Sequence, residues 1–272
     1  MAEHTNSEST PEKSSPRVGL FVTCLVDLFR PVVGFASLKL LQQAGCEVFV
    51  PLAQTCCGQP AYNSGDRTHA QALASEVIRH FEGFDYVVAP SGSCAGMLKT
   101  HYPELLKETD QHERALAFAG KVYELTSFLV DVRGLQSVKA DFPYSITYHD
   151  ACAGLRELHV RQQPRQLLGS VSGLELAEMA DGEACCGFGG TFCVKYPEIS
   201  DAMVTKKCAN ITATNADILV GGDMGCLMNM AGKLSRDESS IEVRHIAELL
   251  AEMTEEPPIA GKKAKMATER QK

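Results

Sequence analysis

Residues 55–58 read TCCG and residues 184–187 read ACCG, and each Cys-Cys-Gly triplet stands between two single cysteines. The leading cysteine lies 32 or 33 residues before the triplet, and the trailing cysteine lies 37 or 40 residues after its second cysteine. The two halves are offset by 128 residues at the leading cysteine. The whole pattern therefore occurs twice, which predicts two similar domains. We call the groups the first and second cysteine sets: Cys24, Cys56, Cys57 and Cys94, then Cys152, Cys185, Cys186 and Cys226.

Short apolar runs alternate along the chain with stretches of helical period. The runs are continuous, as in parallel strands that are covered on both faces. They predict strands at residues 18–22, 48–50, 86–89, 146–148, 174–176 and 218–220. Apolar stripes predict helices within 33–44, 73–81, 199–211 and 246–253, the third stripe beginning at Ile199. The predicted fold class is α/β, with two similar cysteine-rich domains related by a pseudo-twofold axis, each a mostly parallel sheet flanked by helices.

The same pattern predicts the limits of the domains. We expect the first domain over residues 17–138 and the second over 139–254. Residues 1–16 are rich in Ser, Thr, Glu and Pro, and we expect a disordered lead there and a disordered tail over 255–272.

Charge and hydropathy exclude several classes of protein. The net charge is −8, and no cationic stripe precedes the last twelve residues, so we expect no nucleic-acid partner. No apolar run approaches the roughly 20 residues of a membrane-spanning helix, and the polar N-terminus has no secretory signal. We therefore expect a cytoplasmic protein without an integral membrane segment. In that reducing compartment its 11 cysteines indicate metal or redox chemistry rather than disulfides.

The single cysteines lie close to the carboxyl ends of predicted strands, where open α/β sheets bind ligands. Four thiolates suit an iron–sulfur cluster, of the 4Fe-4S type, or a tetrahedral zinc ion. Neither half contains the CxxC pair that is usual in closed zinc sites. Adjacent cysteines also bind separate irons more readily than one small ion. The eight cysteines of the two sets thus predict iron–sulfur clusters, and zinc or a thiol/disulfide centre is the alternative.

Five further residues are expected to surround the ligands. Gly58 and Gly187 let backbone N–H groups approach cluster sulfides, as donors that tune a cluster. Ser91 and Asp223 are expected beside the cluster, with Asp223 an alternative oxygen ligand. Cys193 is expected either to have no role in the site or to act as a ligand or redox thiol.

Other residues have simpler interpretations. Cys46 and Cys208 are predicted in the core, and His149-Asp150 is predicted to form a strand-end turn or a proton relay. The chain has no P-loop, HExxH or dinucleotide fingerprint, so the sequence identifies no catalytic residue. The residues alone predict a protein that moves electrons without a flavin or nicotinamide of its own.

The cysteine pattern, together with FVTCLVD at 21–27, PSGSC at 90–94 and CCGFGGTFCVKYPEIS at 185–200, resembles the cysteine-rich CCG-domain family. That family includes the cysteine-rich subunit of heterodisulfide reductase and the iron–sulfur subunit of glycolate oxidase. The resemblance spans residues 17–253 and is closest to the lactate-utilisation branch. The fuller family pattern ends in CxxC, whereas Ser91 and Asp223 stand at its first position here. This departure puts clusters that use five cysteines in doubt.

The resemblance implies an iron–sulfur electron-transfer subunit of an oxidoreductase that converts L-lactate to pyruvate. Its expected partners are the other subunits of that system, a second iron–sulfur protein and a third component. Three alternatives remain open: a glycolate oxidase-type iron–sulfur subunit, a heterodisulfide reductase-like thiol/disulfide unit, and a zinc-stabilised binding module.

Overall fold

Eight short strands form two parallel sheets in the computed structural model, which describes residues 15–261. The strands are β1 (Arg17–Leu20), β2 (Glu47–Phe49), β3 (Tyr86–Ala89), β4 (Val122–Glu124), β5 (Ser145–His149), β6 (Glu175–Leu176), β7 (Ile218–Gly221) and β8 (Glu242–His245). The sheets have the orders β2-β1-β3-β4 and β6-β5-β7-β8, and every pairing is parallel. The identical strand orders confirm the predicted α/β fold with two similar halves.

Helices connect the strands and cover the sheets. In chain order they are α1 (Cys24–Phe29), α2 (Pro31–Gln43), α3 (Gln59–Asn63), α4 (Arg67–Phe81), α5 (Gly92–Gly96), α6 (Tyr102–Leu105), α7 (His112–Ala119), α8 (Leu125–Ser127), α9 (Cys152–Glu157), α10 (Gln162–Leu168), α11 (Phe192–Lys195), α12 (Pro197–Thr212), α13 (Met224–Arg236) and α14 (Ile246–Leu250). Two π-helical turns, Met97–His101 and Phe128–Val132, extend α5 and α8. No helix within residues 15–261 is long and apolar enough to cross a bilayer.

All six predicted strands are present, and β4 and β8 add one strand to each sheet. Parallel strands end at the same edge of a sheet, so residues that follow them are brought together. That edge carries the cysteines: Cys24 begins α1, Cys94 lies in α5, Cys152 begins α9 and Cys226 lies in α13.

The apolar stripe predicted over residues 199–211, which lie within α12, is wrong at its start. Ile199 is 54% exposed, and the buried face of α12 begins one residue later, at Ser200. It continues through Val204, Lys207, Cys208 and Ile211. The predicted stripe therefore includes three of the buried positions, and the serine and the lysine are the two that a pattern of apolar residues does not predict.

One apolar cluster spans the two halves, and a second cluster lies within the first half. A single apolar cluster contains Val18 and Leu20 of the first sheet together with Ile146 and Leu219 of the second. The Arg30 guanidinium and the Glu248 carboxylate, both buried, pair across the halves at 2.6 Å. Removing Arg30 would leave the Glu248 carboxylate buried without a cation, so this pair holds α14 against the start of α2.

The ends of the chain differ in part from the predicted tails. Residues 255–261 pack on the second sheet, where the Ile259 N–H donates to the Val243 carbonyl at 2.9 Å. Arg244 donates to the Glu256 carbonyl at 3.0 Å. These hydrogen bonds place the end of the packed chain later than residue 254. The rest of the predicted lead and tail, residues 1–14 and 262–272, lies outside the described residues.

Candidate metal centres

The first cysteine set converges from three segments. The Sγ atoms of Cys24 and Cys56 lie 3.8 Å apart, and the Cys57 thiol contacts those of Cys56 and Cys94. The Tyr102 hydroxyl donates to the Cys57 carbonyl at 2.9 Å, which holds the loop in place. The four thiols line one cavity of about 190 Å³. The first set therefore forms a continuous chain of sulfur contacts around a single space.

The second cysteine set has the same order of contacts. The Cys185 thiol contacts Cys152 and Cys186, and the Cys186 thiol contacts Cys226. The Asn229 side-chain amide donates to the Cys186 carbonyl at 2.8 Å, as Tyr102 does for Cys57 in the first half. Both predicted groups of four thiols are thus brought together by the fold.

The backbone conformation of each triplet explains why its third residue is glycine. Gly58 and Gly187 have φ of 82° and 81°, in the left-handed region that glycine adopts without steric cost. This turn directs the glycine N–H back to the first cysteine of its triplet: Gly58 donates to Cys56 Sγ and Gly187 to Cys185 Sγ, each at 3.5 Å. The sequence Cys-Cys-Gly therefore encodes two adjacent thiols and a backbone donor.

Those contacts make one cysteine of each set acidic. Hydrogen bonds from the Cys24 and Cys57 thiols lower the pKa of Cys56 to about 3. Hydrogen bonds from Cys152 and Cys186 likewise lower the pKa of Cys185 to about 2. The pKa values of the donating thiols are raised by the same bonds. A soft metal centre binds the thiolate form, so it would displace the protons that these thiols share.

Ser91 and Asp223 join the two halves beside the first set. Asp223 Oδ2 accepts from the Ser91 hydroxyl at 3.0 Å and from the Ser93 N–H at 2.9 Å, and Oδ1 accepts from the Gly225 N–H at 3.2 Å. Both carboxylate oxygens accept hydrogen bonds from these donors, so the carboxylate is held in one orientation. Asp223 also lines the cavity of the first set, so this bridge forms part of its wall.

Three cysteines, Cys46, Cys193 and Cys208, belong to neither of the two sets. The Cys193 thiol donates to the Gly190 carbonyl at 3.5 Å and is half-buried. Cys46 and Cys208 are buried, and burial raises the pKa of Cys208 to about 11. Within residues 15–261 none of the eleven cysteines is in a disulfide.

His149, for which the sequence predicted a strand-end turn or a proton relay, lies beside the thiols of the second set. It ends β5, is buried, and has one ring nitrogen within 4.8 Å of the Sγ atoms of Cys186 and Cys226. Its neighbour Asp150 forms a double hydrogen bond with Arg165 at 2.9 and 2.8 Å, instead of the predicted turn or relay. Desolvation lowers the pKa of His149 to about 3, so its imidazole is neutral.

The donor chemistry of these sites fits a thiolate-bound metal centre. Each set offers four free thiols from independently anchored segments, and soft sulfur donors select iron–sulfur clusters or zinc. The glycine N–H groups supply the hydrogen bonds to sulfur that such centres use.

Comparison with known proteins identifies the class to which this arrangement belongs. The family model described as CCG, cysteine-rich domain, matches residues 18–99 and again residues 146–231. The chain belongs to this cysteine-rich CCG-domain family and contains the domain twice.

Two relatives indicate to which branch of the family the chain is similar. The chain is 47% identical over 235 residues to lactate utilization protein A from Oceanobacillus iheyensis, covering 86% of this chain and 96% of the relative. It is 44% identical over 236 residues to lactate utilization protein A 2 from Bacillus cereus strain AH820, covering 86% and 98%. These similarities confirm the branch that the motifs predicted.

A solved structure shares the fold at much lower identity. The crystal structure of a hypothetical protein from Helicobacter pylori superposes with a TM-score of 0.60 at 11% identity. It covers 92% of this chain, and the chain spans 56% of that structure's length. The likeness shows the fold alone.

Proposed function

We propose that this protein is the iron–sulfur electron-transfer subunit of a system that oxidises L-lactate to pyruvate. In this proposal each half binds one 4Fe-4S cluster through its cysteine set. The convergence of two equivalent groups of four free thiols carries the proposal, because four soft sulfur donors gathered at one place are the ligand set of an iron–sulfur cluster. The names of the relatives, which are 44–47% identical, support the substrate.

The stoichiometry of the reaction suits two sites. Oxidation of lactate to pyruvate releases two electrons and two protons. When bound, an iron–sulfur cluster supplies one-electron storage. The thiolates of the two sets would hold the centres, and the glycine N–H groups would stabilise charge on sulfur. Two such sites could together hold the electron pair from one lactate.

The contact between the halves supports electron transfer between the sites. Cys94 lies in α5 and Cys152 begins α9, and these two helices pack against each other. A side chain added at Gly92 would meet the Gly154 Cα atom at 2.9 Å, so the backbones touch there. The two sets therefore lie on either side of one close helix contact.

The chain needs partners to complete the reaction, because its sequence carries no flavin or nicotinamide fingerprint that would accept a hydride. We propose that these partners are a second iron–sulfur protein and a third component in the cytoplasm. Half-buried Cys24 and Cys56 line a surface cavity of about 300 Å³ together with the exposed side chains of Leu28 and Leu52. This opening beside the first set is where a redox partner would come nearest.

The test is reduction of the clusters by substrate. The anaerobic protein is mixed with its two partner proteins, and bleaching of the visible cluster absorbance is followed after L-lactate or glycolate is added. We expect bleaching with L-lactate and its loss in the Cys57→Ser variant. Bleaching with glycolate alone would favour a glycolate oxidase-type subunit, and a colourless zinc protein would refute electron transfer.

A further inference from the structure

His149 is a buried histidine whose polar atoms have no partner. Both ring nitrogens lie out of solvent without a hydrogen bond to any residue in 15–261. One of them lies within 4.8 Å of Cys186 Sγ and Cys226 Sγ. A buried polar group is normally hydrogen-bonded, so an unpartnered imidazole beside thiols indicates a ligating role rather than a core residue.

The internal repeat offers a control for this position. Val18 and Ile146 are equivalent, since they pair with Tyr86 and Ile218 at the same register of their sheets. Three residues further, Phe21 of the first half corresponds to His149. Phe21 packs edge-on against Phe81 with ring centroids 5.5 Å apart. The fold therefore accepts a purely apolar ring here, and the second half departs from it.

The second half also differs from the first at a buried position of α12. The buried residues of α12 have the same spacing as those of α4, and this spacing aligns Lys207 with Val77. Lys207 is fully buried, and its ammonium donates to the Gly182 carbonyl at 2.8 Å. The second half thus replaces two apolar residues of the first by an imidazole and a buried cation close to its thiols.

We propose that His149 is a nitrogen ligand of the metal centre in the second cysteine set, where it takes one iron position in place of one of the four thiolates, so that the two halves hold chemically different centres. This inference rests on the proposed function, because it requires a cluster in that set. Imidazole is a neutral donor, and histidine ligation raises the reduction potential of iron–sulfur centres relative to all-thiolate ligation. The buried Lys207 cation acts in the same direction. The second centre should therefore accept electrons from the first.

The experiment measures nitrogen coupled to the reduced centre. The full chain is produced with unlabelled or ¹⁵N-labelled histidine, purified anaerobically, assayed for iron and sulfide, reduced, and studied by pulsed EPR. His149→Phe is the test variant, because the first half already packs phenylalanine at this position. His69→Gln, at an exposed histidine on α4, is the matched control.

We expect a strongly coupled nitrogen whose signal changes with ¹⁵N-histidine, is lost in His149→Phe and persists in His69→Gln. The same loss should lower the potential of one centre and leave the other unchanged. Full iron and sulfide for two clusters without a coupled histidine nitrogen would overturn the proposal and leave the proposed function intact. A chain without iron and sulfide would overturn both. If His149→Phe does not fold, the labelled wild-type spectrum decides alone.

Discussion

Alanine at the glycine of each triplet should have unequal effects in the two halves. Both Gly58 and Gly187 have positive φ, so alanine at either position costs about 1–2 kcal/mol for the left-handed backbone. At Gly58 the added Cβ would find its nearest neighbour, Leu73 Cβ, at 3.5 Å, which is ordinary contact. At Gly187 it would meet the Ser200 carbonyl oxygen at 2.8 Å, and a backbone atom cannot rotate away.

Overpacking of that kind adds about 1–3 kcal/mol, so Gly187→Ala should lose roughly 2–5 kcal/mol and Gly58→Ala about 1–2 kcal/mol. The assay is urea unfolding of anaerobically prepared protein, with iron measured in the same samples. Gly187→Ala should also lower the iron of its own half, because the strained turn moves the N–H that binds Cys185 Sγ. Equal losses of stability in the two variants would refute the reasoning.

Three further substitutions separate ligands from neighbours. Cys186→Ser should halve the iron per chain in a metal assay, because a hydroxyl is a poor ligand for iron. Cys208→Ser should keep full iron, and its free energy of unfolding in urea should fall by about 1–3 kcal/mol because a hydroxyl is buried. Asp223→Ala should cost about 1–3 kcal/mol, because it removes the acceptor of the Ser91 hydroxyl, yet retain iron; loss of iron would make Asp223 a ligand. Burial raises the pKa of Glu124 from 4.5 to about 7, so folding favours its protonated form and stability falls as pH rises between those values. Glu124→Gln should remove about 3 kcal/mol of that fall in unfolding experiments at pH 4.5 and 7, and an unchanged slope would contradict this.

Much of the fold is predictable because the signals that specify it are local. Continuous apolar runs mark the central strands, and repeated cysteine spacing marks the two halves. The structure adds β4 and β8, which the sequence hides for different reasons. Strand β4 has only three residues, too few for a recognisable apolar run. Strand β8 reads EVRH, and its charged side chains interrupt the apolar pattern. Arg244 is nevertheless buried, since its guanidinium binds the carbonyls of Thr254 and Glu256.

The candidate site divides in the same way. The eight thiols were predictable, because spacing repeated within one chain is evidence that a single motif cannot provide. The environment of those thiols depends on tertiary contacts. His149, Lys207 and the bridge from Asp223 to Ser91 reach their positions through packing between distant segments. The sequence signal for His149 is the comparison of the two halves, in which Phe21 occupies the equivalent position.

The central claim is that each cysteine set binds an iron–sulfur cluster. Its most direct test is quantitation of iron, acid-labile sulfide and zinc in protein purified and reconstituted without oxygen. We predict a brown protein with near-equal iron and sulfide, about eight of each per chain for two 4Fe-4S clusters, and no zinc. A colourless protein with stoichiometric zinc and no sulfide would contradict the account.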